Sequence, residues 1–295
     1  MPTSLSAISV LPVDTWGAAF DPQTQQFAHA ALEQGSVLWF PRLAFELGEA
    51  ERRAMAVEVA GSAKNVSYDP ARRWLRGSTG SEPEQRCIAT MMARYAEQTL
   101  ALLNTLLPAY AAQLQPARTS YRPAEIAGRR TSWRKDDTRL HVDSFPSSPT
   151  QGARILRVFS NINPQGQHRV WRLGGPFDEV ARRFLPQMRA PAPGSAELLQ
   201  WMGVTKSRRS AYDHYMLQLH DRMKSDPDYQ RTGPQQTHGF PPGSSWMVFT
   251  DQAPHAALQG RYALEQTFHL PVAALRDPAL APLNVLQGLL GRELA

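Results

Sequence analysis

The sequence predicts a mainly β protein with flanking helices, an α+β chain built around a double-stranded β-helix, or jelly roll. Three observations lead there. The run Gly152-Ala153-Arg154-Ile155-Leu156-Arg157-Val158-Phe159-Ser160-Asn161 is rich in branched and aromatic residues and reads as a strand. A second strand, Ser245-Trp246-Met247-Val248-Phe249-Thr250, follows the turn Pro241-Pro242-Gly243-Ser244. That strand leads through Asp251 to His255, returning a histidine towards the earlier extended segment Thr138 to Pro146. A strand pair that closes back on an earlier extended segment in this way is a jelly-roll arrangement.

The other elements follow in chain order. Gln34-Gly35-Ser36-Val37-Leu38-Trp39-Phe40-Pro41 reads as an early strand after a helix that ends near Gln34. Gly48 to Ala60 reads as a helix with Glu49, Glu51, Arg52 and Arg53 on its wet side, and Asn65 to Gly77 as irregular. Glu84 to Leu107 is the clearest helix: Ile88, Met91, Met92, Tyr95, Leu100, Leu103 and Leu106 recur at helical spacing, and Pro108 ends it. Such a stripe is core packing against a sheet. Ser207 to Met223 is a helix inserted between the two halves of the β domain; its His214 and His220, six residues apart, share no face and read as surface or packing residues. Pro282 opens a short amphipathic helix through Leu283, Leu286, Leu289 and Leu290, whose apolar face docks on the domain or touches a membrane. The expectation is one domain over residues 1–295, with a helical portion over about 1–115, a β-helix core over about 116–275 and a C-terminal helix over about 280–293.

Composition bounds the function. A hydrophobic fraction of 42% suffices for a sizeable core. The net charge of +6 favours anionic partners, but the 32 Lys and Arg residues are scattered, which argues against nucleic acid. Cys87 is the only cysteine, so no internal disulfide forms and a Cys-rich zinc or iron–sulfur site is excluded. Met1 to Val10 carries no basic, apolar leader, and no run of 18 apolar residues occurs, so a cytoplasmic protein is expected, with peripheral contact at the inner membrane allowed.

The run Thr138-Arg139-Leu140-His141-Val142-Asp143-Ser144-Phe145-Pro146 carries the chemistry. In extended chain, residues two apart point to one side, so His141 and Asp143 can grip one ion while Val142 faces away. With His255 they form the two-histidine, one-carboxylate triad of iron(II) oxygenases, which leaves open positions for a chelating cosubstrate and dioxygen. A lone His-x-Asp is weak, since chance yields roughly 0.35 in such a chain; the two flanking strands strengthen it. His238 and His269 are the rivals to His255 as third ligand.

Beyond the triad, Arg130 to Phe145, Arg154 to Pro164, Arg169-Val170-Trp171-Arg172, Gly175-Pro176-Phe177 and Leu264-Glu265-Gln266-Thr267-Phe268 resemble the Kdo 3-hydroxylase family over nearly the whole chain. The resemblance implies an Fe(II)- and 2-oxoglutarate-dependent dioxygenase of lipopolysaccharide biosynthesis. It also implies the substrate, a Kdo (3-deoxy-D-manno-octulosonic acid) residue of Kdo–lipid A hydroxylated at C3 to give Ko. The basic charge agrees with a sugar carboxylate and lipid phosphates. An iron dioxygenase for another substrate, and a non-catalytic module for acidic glycans, are the alternatives.

A 2-oxoglutarate cosubstrate needs a cation for its distal carboxylate, and Arg offers a bidentate fork. Arg157, sixteen residues after His141, and Arg261, six after His255, compete for that role, with Arg157 favoured; Asn161 shares the strand face of Arg157 and offers a further donor. A structural ion pair is the plain alternative for each. Arg134, Lys135, Arg139 and Arg172 are candidates for the acidic sugar, against a solvated surface, and Asp136 and Asp137 would hold them in place. Trp171 either stacks on the sugar or packs in the core. Oligomeric state cannot be read from the chain.

Overall fold

In the computed structural model, residues 7–55, 59–61, 64–129 and 131–295 are described. The N-terminal third runs β1 (Ile8–Val10), α1 (Pro22–Glu33), β2 (Val37–Phe40), α2 (Glu49–Met55), β3 (Val66–Asp69), β4 (Trp74–Arg76) and α3 (Glu82–Leu106). The central part runs β5 (Gln115–Arg122), β6 (Arg154–Asn161), β7 (Arg169–Gly174), α4 (Phe177–Phe184), α5 (Ser195–Trp201), α6 (Ala211–Ser225) and α7 (Pro227–Thr232). It closes with β8 (Gln235–Phe240), β9 (Ser245–Phe249), β10 (His255–Gln259), β11 (Ala263–Leu270) and α8 (Pro282–Leu290).

The strands form an eight-stranded sheet, β1-β2-β9-β6-β11-β5-β3-β4, and a three-stranded sheet, β10-β7-β8. Phe159 of β6 and Trp246 and Val248 of β9 meet Trp171 and Leu173 of β7, Phe240 of β8 and Ala257 of β10 in one buried cluster. The two sheets therefore face each other, as a jelly roll requires. Alternation sends the neighbouring residues the other way: Leu156, Val158, Met247 and Phe249 pack on Ala28, Leu32, Leu102, Leu103 and Leu106 of α1 and α3. β6 is buried on both faces, which is why its sequence reads as nearly unbroken apolar run.

The fourth place in the small sheet is taken by extended chain rather than a full strand. His141 bridges His255, with N–H···O distances of 3.0 and 2.8 Å in the two directions, and Ala257 donates to Asp137 at 2.8 Å. Val142 turns away into the cluster that α4, α6, α7 and α8 build over the outer side.

The N-terminal portion is not purely helical. β1 and β2 extend one edge of the large sheet, and Asn65 to Gly77, expected to be irregular, is the β3–β4 hairpin on the other edge. Its Ser and Arg content hid the alternation of Val66 and Tyr68. The helix expected over Gly48 to Ala60 is seen as Glu49–Met55, and residues 56–58 lie outside the described residues. α3 begins two residues earlier than the apolar stripe suggests because the Glu84 carboxylate accepts the Ser81 backbone N–H at 2.7 Å. Among the described residues no helix is long and apolar enough to cross a membrane.

Candidate active site

His141, Asp143 and His255 converge, each offering a ligand atom within 4.8 Å of the others. His141 Nε2 lies 3.7 Å from Asp143 Oδ1, and the two imidazole centroids are 4.7 Å apart. The antiparallel bridge explains this: it puts His141 and His255 side by side, and the pleat brings Asp143 to the same side. Asp143 N–H donates to Thr250 O at 2.8 Å, which ties the carboxylate to the end of β9.

Each imidazole is held by its own backbone. His141 Nδ1 lies 2.8 Å from Arg139 O and His255 Nδ1 2.9 Å from Ala253 O. A carbonyl accepts only, so both Nδ1 atoms carry the proton and both Nε2 lone pairs are free to bind a metal. Burial, aided for His141 by its neighbour His255, holds both imidazoles below their ordinary range, so they are neutral. Burial pushes the Asp143 carboxyl up, but the Arg157 guanidinium outweighs it and holds it well below the usual carboxylate range. Two neutral imidazoles and one carboxylate at a common point fit a divalent iron.

An ion-pair chain runs inward from the triad. Arg157 Nη2 lies 3.3 Å from Asp143 Oδ2 and its Nη1 3.1 Å from Glu265 Oε1; Arg122 Nη2 is 2.6 Å from Glu265 Oε2 and its Nη1 3.9 Å from Asp137, which Lys64 also contacts. Next to it lies Arg169, 5% exposed, with Nη1 2.6 Å from Gly260 O and no carboxylate within ion-pair distance among the described residues. Burial, then the neighbouring Arg122, brings its guanidinium down to about 10. Two residues on, Trp171 stacks on His255 at 5.2 Å and 21°, and its buried Nε1 has no acceptor. A buried guanidinium with no carboxylate partner and an indole N–H with no acceptor, beside a metal triad, are the donors a dicarboxylate needs.

The placement of the remaining sequence candidates is mixed. Arg157 lies in the site. Asn161 does not serve it: its amide donates to Gln167 O and Phe240 O, both at 2.9 Å, and its Oδ1 accepts the Asn163 N–H, so every group is used within the fold. Arg261 lies on the β10–β11 turn, over the Tyr262 ring and 3.3 Å from Gln165 Oε1, away from the triad. Arg172 falls on the face of β7 opposite Trp171 and so points out of the barrel. Arg139 is a brace, 3.2 Å from Asp136 and donating to Lys224 O at 2.9 Å. Arg134 stays at the rim, paired with Asp221 at 3.0 Å, and Lys135 beside it is exposed. Asp137 holds Lys64 and Arg122 rather than the rim cations.

The rival histidines are elsewhere. His238 packs on Trp39 and Phe240, and His269 sits on β11 opposite Ile155. His220, read as packing, stands edge-on to His141 at 5.3 Å and bonds Asp221 at 2.9 Å; buried Lys224, one turn further along α6, donates to Arg134 O at 3.0 Å. The i, i+4 spacing of His220 and Lys224 was the available signal. Arg122 and Arg169 offered none locally, because β5 was not read as a strand and nothing in a sequence says which arginine lacks a partner.

A jelly roll with this triad between its two sheets defines a non-haem iron dioxygenase of the 2-oxoglutarate-dependent class. The profile of the 3-deoxy-D-manno-oct-2-ulosonic acid (Kdo) hydroxylase family matches residues 15–293, and the chain belongs to that family. Three solved structures of the Kdo hydroxylase KdoO, a non-heme Fe(II) alphaketoglutarate dependent dioxygenase, are similar. Its complex with alphaketoglutarate and Fe(III) is 50% identical, covers 98% of this chain and 97% of its own, and has a TM-score of 0.94. Its cobalt(II) complex has the same identity and coverage with a TM-score of 0.96. Its apo form is 51% identical over 97% of both chains, with a TM-score of 0.95. No curated protein sequence matches the chain.

Proposed function

We propose that the chain hydroxylates C3 of a Kdo residue carried on Kdo–lipid A, giving Ko, with Fe(II), 2-oxoglutarate and dioxygen. The observation that carries the chemistry is the convergence of His141, Asp143 and His255 with both Nδ1 atoms already spent on carbonyls. The KdoO structures with metal, alphaketoglutarate and succinate support the same cofactor set here.

His141, Asp143 and His255 hold the iron. When bound, iron and 2-oxoglutarate supply the oxidation of a C–H bond by dioxygen, with release of succinate and carbon dioxide. Arg169, with Arg122 and Arg157 nearby and the Trp171 indole N–H beside it, holds the distal carboxylate. Lys64, Arg122 and Arg157 pair with Asp137, Asp143 and Glu265, and Arg169 beside them has no carboxylate within ion-pair distance among the described residues, so a bound dianion offsets the charge that the metal adds. Arg157 also orients Asp143 and keeps it anionic. The enclosing sheets exclude water, and no side-chain general base is required. Arg134 and Lys135, at the rim near His220, are the cations placed to meet the sugar carboxylate. The enzyme works at the cytoplasmic face of the inner membrane, where it contacts the lipid peripherally.

The test is protein reconstituted anaerobically with Fe(II), then given 2-oxoglutarate, oxygen and Kdo–lipid A. A product heavier by one oxygen atom, absent in His141→Ala that keeps its fold, supports the reading. Succinate release without a change in Kdo would retain the dioxygenase and discard this sugar.

A further inference from the structure

Seven large hydrophobic side chains are exposed among the described residues, and four of them fall within one short stretch: Leu198, Trp201, Met202 and Val204. Trp201 is 84% exposed. Leu198, Trp201 and Met202 are spaced i, i+3 and i+4, so they make a single outward face on α5. Leu199 turns the other way, and its carbonyl accepts from Val204 and Thr205 as the chain leaves the helix. A contiguous apolar face of this kind costs free energy in water unless something covers it.

The cover must be anionic. Arg189, Lys206, Arg208 and Arg209 flank the face along the chain, and Glu197, the one acidic residue between Arg189 and Arg209, is already paired with Arg208 at 2.7 Å. A symmetric second copy would set these cations against themselves. An apolar tip flanked by cations fits the interface of a bilayer with anionic headgroups.

The same stretch is fastened to the active site. Lys206 N–H donates to Ser147 O at 3.0 Å, Arg209 Nη2 to Pro146 O at 2.7 Å, and Gln151 Nε2 to Arg208 O at 3.2 Å. Ser147 is four residues beyond Asp143, so its backbone lies within about 14 Å of that ligand. We infer that α5 and the turn after it are a membrane-docking element, which inserts Trp201 and its apolar neighbours into an anionic lipid surface and seats the iron site over a sugar presented there. This rests on the reading of a lipid-borne Kdo substrate.

Flotation with phosphatidylglycerol vesicles, and separately with phosphatidylcholine vesicles, tests it on the full-length protein. Wild type should bind the first more tightly than the second and weaken with salt. Leu198→Ser/Trp201→Ser should lower binding at least about tenfold while its melting temperature and its turnover of a soluble Kdo glycoside stay unchanged. Wild type that ignores both vesicle types, or a variant that binds as wild type does, overturns the docking. So does a variant that only converts a dimer to a monomer in sedimentation. The two readings fail separately. Patch-dependent vesicle binding by an enzyme that leaves Kdo unmodified keeps the docking and removes the sugar. Hydroxylation of the lipid substrate with no vesicle binding does the reverse.

Discussion

Arg154 is fully buried, with Nε 2.7 Å from Asp251 Oδ2 and Nη2 2.7 Å from Gln252 Oε1. Arg169 is almost as deeply buried, yet its partner is a single backbone carbonyl. Removing one member of a buried pair strands the other, so Arg154→Met should lose about 3 kcal/mol. Arg169→Met strands no charge, only the Gly260 carbonyl, and should unfold within about 1–2 kcal/mol of wild type, while its KM for 2-oxoglutarate rises about thirtyfold or more. Denaturant unfolding beside steady-state kinetics separates the two; an Arg169 variant that loses stability but keeps its KM would make that residue structural.

His29 supplies a pH test away from the metal. It is buried against the Tyr110 ring, with neither ring nitrogen hydrogen-bonded among the described residues. Burial, reinforced by Arg276 and opposed by Glu33, brings it down to about 4 from an ordinary 6.5. The folded pKa is depressed, so the unfolded chain takes up the proton first. Stability from this residue is complete above about 6.5 and falls, by up to roughly 3 kcal/mol, as the pH drops towards 4. His29→Leu should flatten that acid slope in unfolding curves; an unchanged slope would refute the assignment.

At the scale of elements, the site depends on how closely β7 approaches β10. Gly174 N–H donates to Pro254 O at 2.7 Å, and a Cβ at Gly174 would stand 2.7 Å from Pro254 Cβ. Pro254 precedes His255, so Gly174→Ala should move a ligand it never touches. The expected result is about tenfold weaker Co(II) binding, followed by visible absorption, with a stability loss of about 1–3 kcal/mol. Native metal affinity would show that the strands yield elsewhere. β6, β9, α3 and α6 were legible because their apolar residues recur at the period of the element. β5, Gln115–Arg122, was not: Gln115, Pro116, Arg118 and Arg122 dilute the alternation that Thr119 and Tyr121 carry. The extended segment through His141 joins the small sheet by a single bridge, since one pair of hydrogen bonds is enough to set the ligand beside His255.

For the whole molecule, metal binding cross-links the His141–Asp143 segment to His255 of β10, adding to the bridge and to the Asp143–Thr250 hydrogen bond. A ligand that binds the folded state alone stabilises it by about 2.7 kcal/mol at a hundredfold excess over Kd, which is several degrees in Tm for a chain of this size. Adding Fe(II) anaerobically, or Co(II), should therefore raise Tm in calorimetry. A chelator should reverse the rise, and His141→Ala should abolish it; an equal rise in that variant would place the metal elsewhere.

The sequence by itself determined the local chemistry. His141 and Asp143 share a face because extended residues two apart must do so, and strands patterned like β6 and β9 could pair only with their apolar faces buried. The jelly roll and the His-x-Asp pair followed from those constraints, while the fold brought His255, and neither His238 nor His269, to that pair. Beyond Arg157, which the sequence favoured, tertiary structure decided which of the 32 basic residues reach the site. Arg169 and Arg157 point inward and Arg172 outward because strand register sets each direction, and Arg122 joins them because β5 lies beside β11. Whether a buried charge is satisfied is a property of its neighbours, and those neighbours come from strands far apart in the chain.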